Sequence, residues 1–157
     1  MRASTLLCTL AALLALAMAG ASAAPADKQQ VLKERQALMK KQADDLRAVK
    51  DYLDGKLDHA KATAAAADLT RTMGEIPEVF PPDTAGPSPD GKYAAKPAIW
   101  ADWKGFLAHR NTAAAKVDTL AAALKSDDKT RIKTAFADLG KNGCGACHGK
   151  FREKLEK

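Results

Sequence analysis

Cysteine is scarce in this sequence, with three in 157 residues. Cys8 sits in an N-terminal apolar stretch, and the other two are Cys144 and Cys147. Nothing is left from which to build a disulfide framework. Strand signals are missing too. No segment shows the period-two alternation of a half-buried strand, and aromatic residues total only 5%. No apolar run crosses a bilayer comfortably, because the longest, residues 6–19, falls short of the roughly 20 residues a spanning helix needs. After Pro25, proline is confined to residues 74–97. Nothing with proline's power to break a helix interrupts the rest of the chain.

What is present begins with an address. Arg2 supplies a positive start, residues 6–19 an apolar centre, and Ala21-Ser22-Ala23 a small-x-small cleavage site. Residues 1–23 therefore read as a cleaved secretory signal, with Ala24 opening the mature chain. Cleavage one residue later would leave Pro25 first. An uncleaved anchor is the competing reading, and the short apolar run argues against it and against stable membrane insertion. Removal of the signal takes Met1, Cys8 and Met18 with it.

The formal charge is +6, from 25 Lys and Arg against 19 Asp and Glu. A basic balance invites a nucleic-acid partner. Here the lysines are spread along every helical segment and aromatics are few, so a solvated helix surface is the better account and no nucleic acid is expected.

Helical periodicity organises the remainder. Residues 26–53 form a first helix behind Asp27 as N-cap. Leu32, Met39, Leu46 and Leu53 recur every seven residues with Val49 between them, a narrow bundle seam. Residues 56–73 form a second, alanine-rich helix with Leu57, Ala60, Ala64 and Ala67 as a thin apolar face. Gly74 and Pro77 stop it. Residues 74–97 read as a crossover packed on the body, pinned by Ile76, Val79, Phe80 and Tyr93. Residues 98–125 form a third helix carrying Trp103, Phe106, Leu107, Val117, Leu120, Ala121 and Leu124. Ser126 caps a fourth over residues 127–155, with Asp127 and Asp128 at its dipole and Ile132, Phe136 and Leu139 on one face. The expectation is one all-α domain, residues 24–157, folded as an antiparallel four-helix bundle.

The chemistry lies in Cys144-Gly145-Ala146-Cys147-His148, the spacing for covalent attachment of a c-type haem. Two thiols add to the two vinyl groups of one porphyrin, and two intervening residues let both sulfurs reach the same ring edge. The histidine that follows points its imidazole under the ring, as the proximal ligand to iron. One covalent haem c in the bundle core is expected, with Gly140 and Gly143 letting the ring lie close. Half a zinc site is the first alternative, but it would have to recruit distant His59 or His109. A thioredoxin-like redox pair is the second, but it needs a βαβ context that is missing. Haem attachment occurs outside the cytoplasm, which fits export to the periplasm.

The order of these features resembles the class II cytochromes c, the cytochrome c′ family. The likeness rests on Arg35-Gln36-Ala37-Leu38-Met39-Lys40, on Lys96-Pro97-Ala98-Ile99-Trp100, and on residues 143–152 around the haem motif. The resemblance implies a periplasmic haem protein that transfers electrons or binds small gases. The first two segments and the proline-rich crossover are most similar to the low-spin branch typified by cytochrome c-556. That branch implies Met39 as the sixth, distal ligand, although periodicity alone makes a methionine on an apolar stripe core packing. Met73 is the rival donor. The resemblance also puts Arg35 near a haem propionate.

Two functions follow. In the first, His148 and Met39 hold the iron of a soluble one-electron carrier. Its redox partner would be an acidic protein steered by Lys33, Lys40, Lys41, Lys150 and Arg152. In the second, Met39 only packs over a five-coordinate iron that binds nitric oxide or carbon monoxide. No enzyme activity is expected, since a peroxidase would need a distal acid/base and neither His59 nor His109 has an evident place over the haem. Family members include dimers built on the first two helices, which leaves monomer and homodimer both open.

Overall fold

Asp27 starts the first helix by accepting a hydrogen bond from the Gln29 backbone N–H at 3.0 Å. The computed structural model describes residues 27–156, so the secretory signal expected over residues 1–23 lies outside the described residues. Helix α1 spans Lys28–Leu53. It ends at Gly55, whose φ of +75° suits a residue without a Cβ. Helix α2, His59–Glu75, is capped by the Asp58 carboxylate at 2.8 Å from the Lys61 N–H.

The crossover begins as a 3₁₀ turn, Ile76–Val79, and goes on to strands β1 (Gly86–Pro87) and β2 (Tyr93–Ala95). A short helix α3, Ala98–Ala101, precedes the long α4, Trp103–Lys125. The last bundle element is composite. Helix α5 is Lys129–Asp138, a π-helical turn covers Leu139–Gly145, and α6 is Ala146–Phe151. Strand β3, Arg152–Lys154, follows. Helices α1, α2, α4 and the α5–π–α6 unit form the antiparallel four-helix bundle.

Several local expectations need correction. The chain does contain strands: β1 pairs with β2, and β2 with β3, all antiparallel. They are too short for alternation to show, and they tie the crossover to the C-terminal segment. The fourth helix ends at Phe151 rather than residue 155 because the chain turns into β3. Its cap is Asp128, which accepts from the Thr130 and Arg131 N–H groups; Ser126 instead closes α4. The third helix is broken at Asp102, whose carboxylate leaves the helical path to cap α4 through the Gly105 N–H at 3.0 Å.

The buried face of α2 is Ala62, Ala65, Ala66, Leu69 and Met73, whereas Ala60, Ala64 and Ala67 are exposed. A run of alanines offers no contrast from which to read a face, and Leu69 and Met73 decide it. On α1, Leu32 and Val49 are buried, but Met39, Leu46 and Leu53 are only half-buried. A strict seven-residue stripe drifts about 20° per heptad around a straight helix. Leu38, Val49 and Tyr52 are the buried α1 residues that join the main hydrophobic core.

The core divides into two parts. Val49, Leu69, Val117, Leu120, Leu124 and Ile132 are fully buried and fill one part of the bundle. In the other, Phe80, Trp100, Phe106 and Phe151 form an aromatic cluster in tilted and edge-on contacts. Ile76 and Phe80 pin the crossover as expected, but Tyr93 lies 37% exposed and does not. The Trp100 indole adds a tie by donating to the Phe80 and Pro81 carbonyls at 3.1 and 2.8 Å.

Candidate haem-binding site

A cleft of about 460 Å³ opens between α1 and the α6 end of the composite helix. Cys144 reaches it from the π-helical turn, and Cys147 and His148 reach it from the first turn of α6. Arg35 and Met39 line it from α1, Met73 from α2, Phe80 from the crossover and Phe106 from α4. The five residues singled out in the sequence, Cys144, Cys147, His148, Met39 and Arg35, thus share one cavity, and so does the rival Met73. His59 and His109 do not line it. His59 sits 2.7 Å from the Leu124 carbonyl, and His109 packs edge-on against Phe151 at 5.4 Å.

The cysteines and the histidine suit a porphyrin better than a cation. Cys144 and Cys147 are free thiols. Burial raises both, Cys147 to about 11 with Cys144 nearby as the lesser cause. Burial, and then the charge of Arg152, pushes His148 down to about 4. A neutral imidazole leaves a nitrogen lone pair available to a metal. Among the described residues no group of three or more His, Cys, Asp or Glu is placed to hold a metal ion. That counts against the zinc alternative.

Arg35 is a buried cation whose ligands are all uncharged. Its Nε donates to the Val79 carbonyl at 2.9 Å, Nη1 to the Thr84 carbonyl at 2.9 Å and Nη2 to the Thr84 hydroxyl at 2.6 Å. The guanidinium stacks on the Phe80 ring at 4.2 Å. Burial lowers its pKa to about 10. A guanidinium carries five N–H donors, so two stay free after these three bonds. A haem propionate at the cleft mouth fits this uncompensated charge. Thiols, imidazole and cation together make a donor set that matches haem c.

Two glycines act differently from expectation. A Cβ on Gly143 would stand 2.9 Å from Leu139 Cδ1 and 3.4 Å from Ala113 Cα, so Gly143 permits close packing of the composite helix on α4. Gly140 is exposed and meets nothing. Of the five basic residues proposed to steer a partner, Lys41 is held between Asp45 and Asp68, and Lys150 bonds Asp102 at 2.9 Å. Arg152 stacks on Tyr93 at 4.4 Å. Lys33 and Lys40 are exposed. Several cleft residues escaped the sequence reading, among them Gln42 and Arg110. Gln42, three residues past Met39, was legible as a polar residue at helical spacing from the apolar stripe.

The family model described as cytochrome C′ matches residues 30–152. The chain belongs to the cytochrome c′ family. Cytochrome c′ from Rubrivivax gelatinosus is 39% identical over 97 residues, covering 60% of this chain and 71% of that protein. Cytochrome c-556 from Agrobacterium tumefaciens is 28% identical over 125 residues, covering 78% of this chain and 97% of that one. Among solved structures, a nitric oxide complex of a variant cytochrome c prime from Alcaligenes xylosoxidans superposes with a TM-score of 0.72. Its identity is 26%, over 83% of this chain and 99% of that one. As a member of the cytochrome c′ family, the chain carries covalent haem c with its iron, and the resemblance read from the motifs holds over the bundle. No described helix is long and apolar enough to cross a membrane.

Proposed function

We propose that this chain is an exported, periplasmic haem c protein that binds a small gas, nitric oxide or carbon monoxide, on the α1 side of its iron. The observation that carries the reading is the shared cleft. Cys144, Cys147 and His148 reach the cleft from the composite helix, and α1 lines it with Leu32, Arg35, Met39 and Gln42. Support also comes from the likeness to cytochrome c′ of R. gelatinosus and to the nitric oxide complex of the A. xylosoxidans protein. Bound haem supplies an iron that takes axial ligands and exchanges one electron. In this reading Cys144 and Cys147 would tether it, His148 would bind its iron, Arg35 would meet a propionate, and Met39 would pack against it.

A second reading, favoured by the sequence, has its own observation. Met39 brings a thioether to the cleft from α1 and His148 an imidazole from α6, and the likeness to cytochrome c-556 spans most of both chains. Here Met39 is the sixth ligand and the protein is a one-electron carrier. Exposed Lys33 and Lys40 would meet an acidic redox partner, and a homodimer would use the α1–α2 face.

Absorption spectroscopy separates the two. The gas-binding reading expects a high-spin oxidised protein whose reduced form takes up carbon monoxide readily. A low-spin protein with the weak near-infrared methionine-to-iron band, inert to carbon monoxide, would reject it in favour of the carrier. In that case Met39→Ala should turn the iron high-spin and open it.

A further inference from the structure

Gln42 is a polar side chain in a place where the bundle calls for an apolar one. It is only 7% exposed, lies three residues past Met39 on α1, and lines the same cleft. Its amide Nε2 is buried and meets no hydrogen-bond acceptor. Native proteins nearly always pair such groups, so a buried donor left over in a ligand cavity points to a partner supplied by the ligand.

We propose that Gln42 is the distal hydrogen-bond donor of the haem cleft, its amide N–H serving the polar atom of a small ligand held between α1 and His148. The inference rests on the gas-binding reading. Its position follows from helix geometry. Side chains lean toward the N-terminus of their helix, so the Gln42 amide leans back over the turn that carries Met39. Arg35 is seven residues earlier on nearly the same face, about 10 Å along the axis. The spare N–H groups of Arg35 are there for the anionic edge of the haem. Gln42 therefore stands two turns away from that edge, beside the distal residue.

One internal partner has to be weighed. Asp45, three residues further on, also keeps Oδ2 unpaired. Its carboxylate, however, turns to Lys41, which in turn bonds Asp68 of α2, and Asp45 is not on the cleft wall. Among the cleft-lining residues, Met39 and Ala43 of α1 and Met73 of α2 have no oxygen in their side chains, and Ser88 and Asp90 of the crossover make no bond to the Gln42 amide.

The test compares the reduced carbon monoxide complexes of the wild type and of Gln42→Leu, which has similar bulk and no donor. Equal covalent haem per chain shows that the variant folds. The C–O stretch in the infrared should move to higher frequency without the amide. Carbon monoxide should leave about twofold to tenfold faster, the range of one ordinary hydrogen bond. If the wild type takes up no carbon monoxide, the gas-binding reading has failed. The donor is then tested by Met39→Ala against Met39→Ala/Gln42→Leu, where the distal position is open. An unchanged stretch and an unchanged dissociation rate on removal of the amide, in whichever pair binds the gas, would overturn the assignment and give the amide to Asp45 instead.

Discussion

Replacing Arg35 by alanine removes a side chain that ties α1 to the crossover and lines the cleft. Three N–H···O bonds go with it, to the Val79 carbonyl, the Thr84 carbonyl and the Thr84 hydroxyl. The losses are unequal. The Thr84 hydroxyl keeps a partner, since it donates to the Pro81 carbonyl at 2.7 Å. The two carbonyls lose charge-assisted donors, each worth about 1.5–3 kcal/mol. The stacking on Phe80 at 4.2 Å goes as well, at roughly 1 kcal/mol. Against these stands the release of a desolvated cation, whose burial shows in a pKa lowered to about 10. The balance is a loss of about 3 kcal/mol, which for a domain of this size lowers Tm by about 10 °C. Thermal unfolding followed by far-ultraviolet circular dichroism of the haem-loaded protein measures it. Arg35→Lys keeps a cation for the propionate but not the planar fork, so it should recover about half of the loss. Proteolysis within the crossover should accelerate in the same order. A Tm within about 2 °C of wild type for the alanine variant would refute the reasoning. It would mean that Phe80 and the Trp100 hydrogen bonds hold the crossover by themselves.

Two further outcomes follow from the packing of the composite helix. Gly143→Val places a branched side chain against Leu139 and Ala113. The overpacking should cost about 1–3 kcal/mol and lower the covalent haem yield, because Cys144 moves with the helix; an unchanged yield and Tm would show that α4 can yield at this point. Asp102→Ala removes both the α4 cap and the tie to Lys150. The Asp102 carboxyl is held below its ordinary value of 3.8, first by Lys150 and then by the Gly105 N–H. A depressed folded pKa stabilises above the unfolded value and loses that effect as pH falls through the folded one. The Tm gap between wild type and variant should therefore be full at neutral pH and close below about pH 3.8. A gap independent of pH would assign the effect to helix propensity alone.

The legible parts of this molecule are those whose information is local. Four helices could be read because their caps and 3.6-residue spacing lie within single segments, and Asp27 does cap the first. The haem motif was legible for the same reason, since thiols and imidazole must be close along the chain to meet one ring edge. What escaped depends on partners far away in sequence. Strand β2 exists because Arg152–Lys154 lies alongside it. Gly143 matters because Ala113 lies against it. The exposed face of α2 was misread because only its neighbours distinguish one alanine from another.

The same division runs through the site. The thiols and imidazole of the cleft come from five consecutive residues, and its other lining includes α1, more than a hundred residues away. Met39 and Gln42 are one turn apart on that helix, the first with a soft sulfur, the second with an unpaired N–H. On the proposed reading, how α1 seats against the aromatic cluster would decide which of them meets a haem in the cleft. A thioether within bonding distance of a bound haem iron would make Met39 a ligand and favour the electron carrier. A thioether held slightly off would leave room for a small ligand that the amide could hydrogen-bond. On the proposed reading, function would turn on the seating of α1, and Arg35, which ties α1 to the crossover beside the cleft, is well placed to fix it.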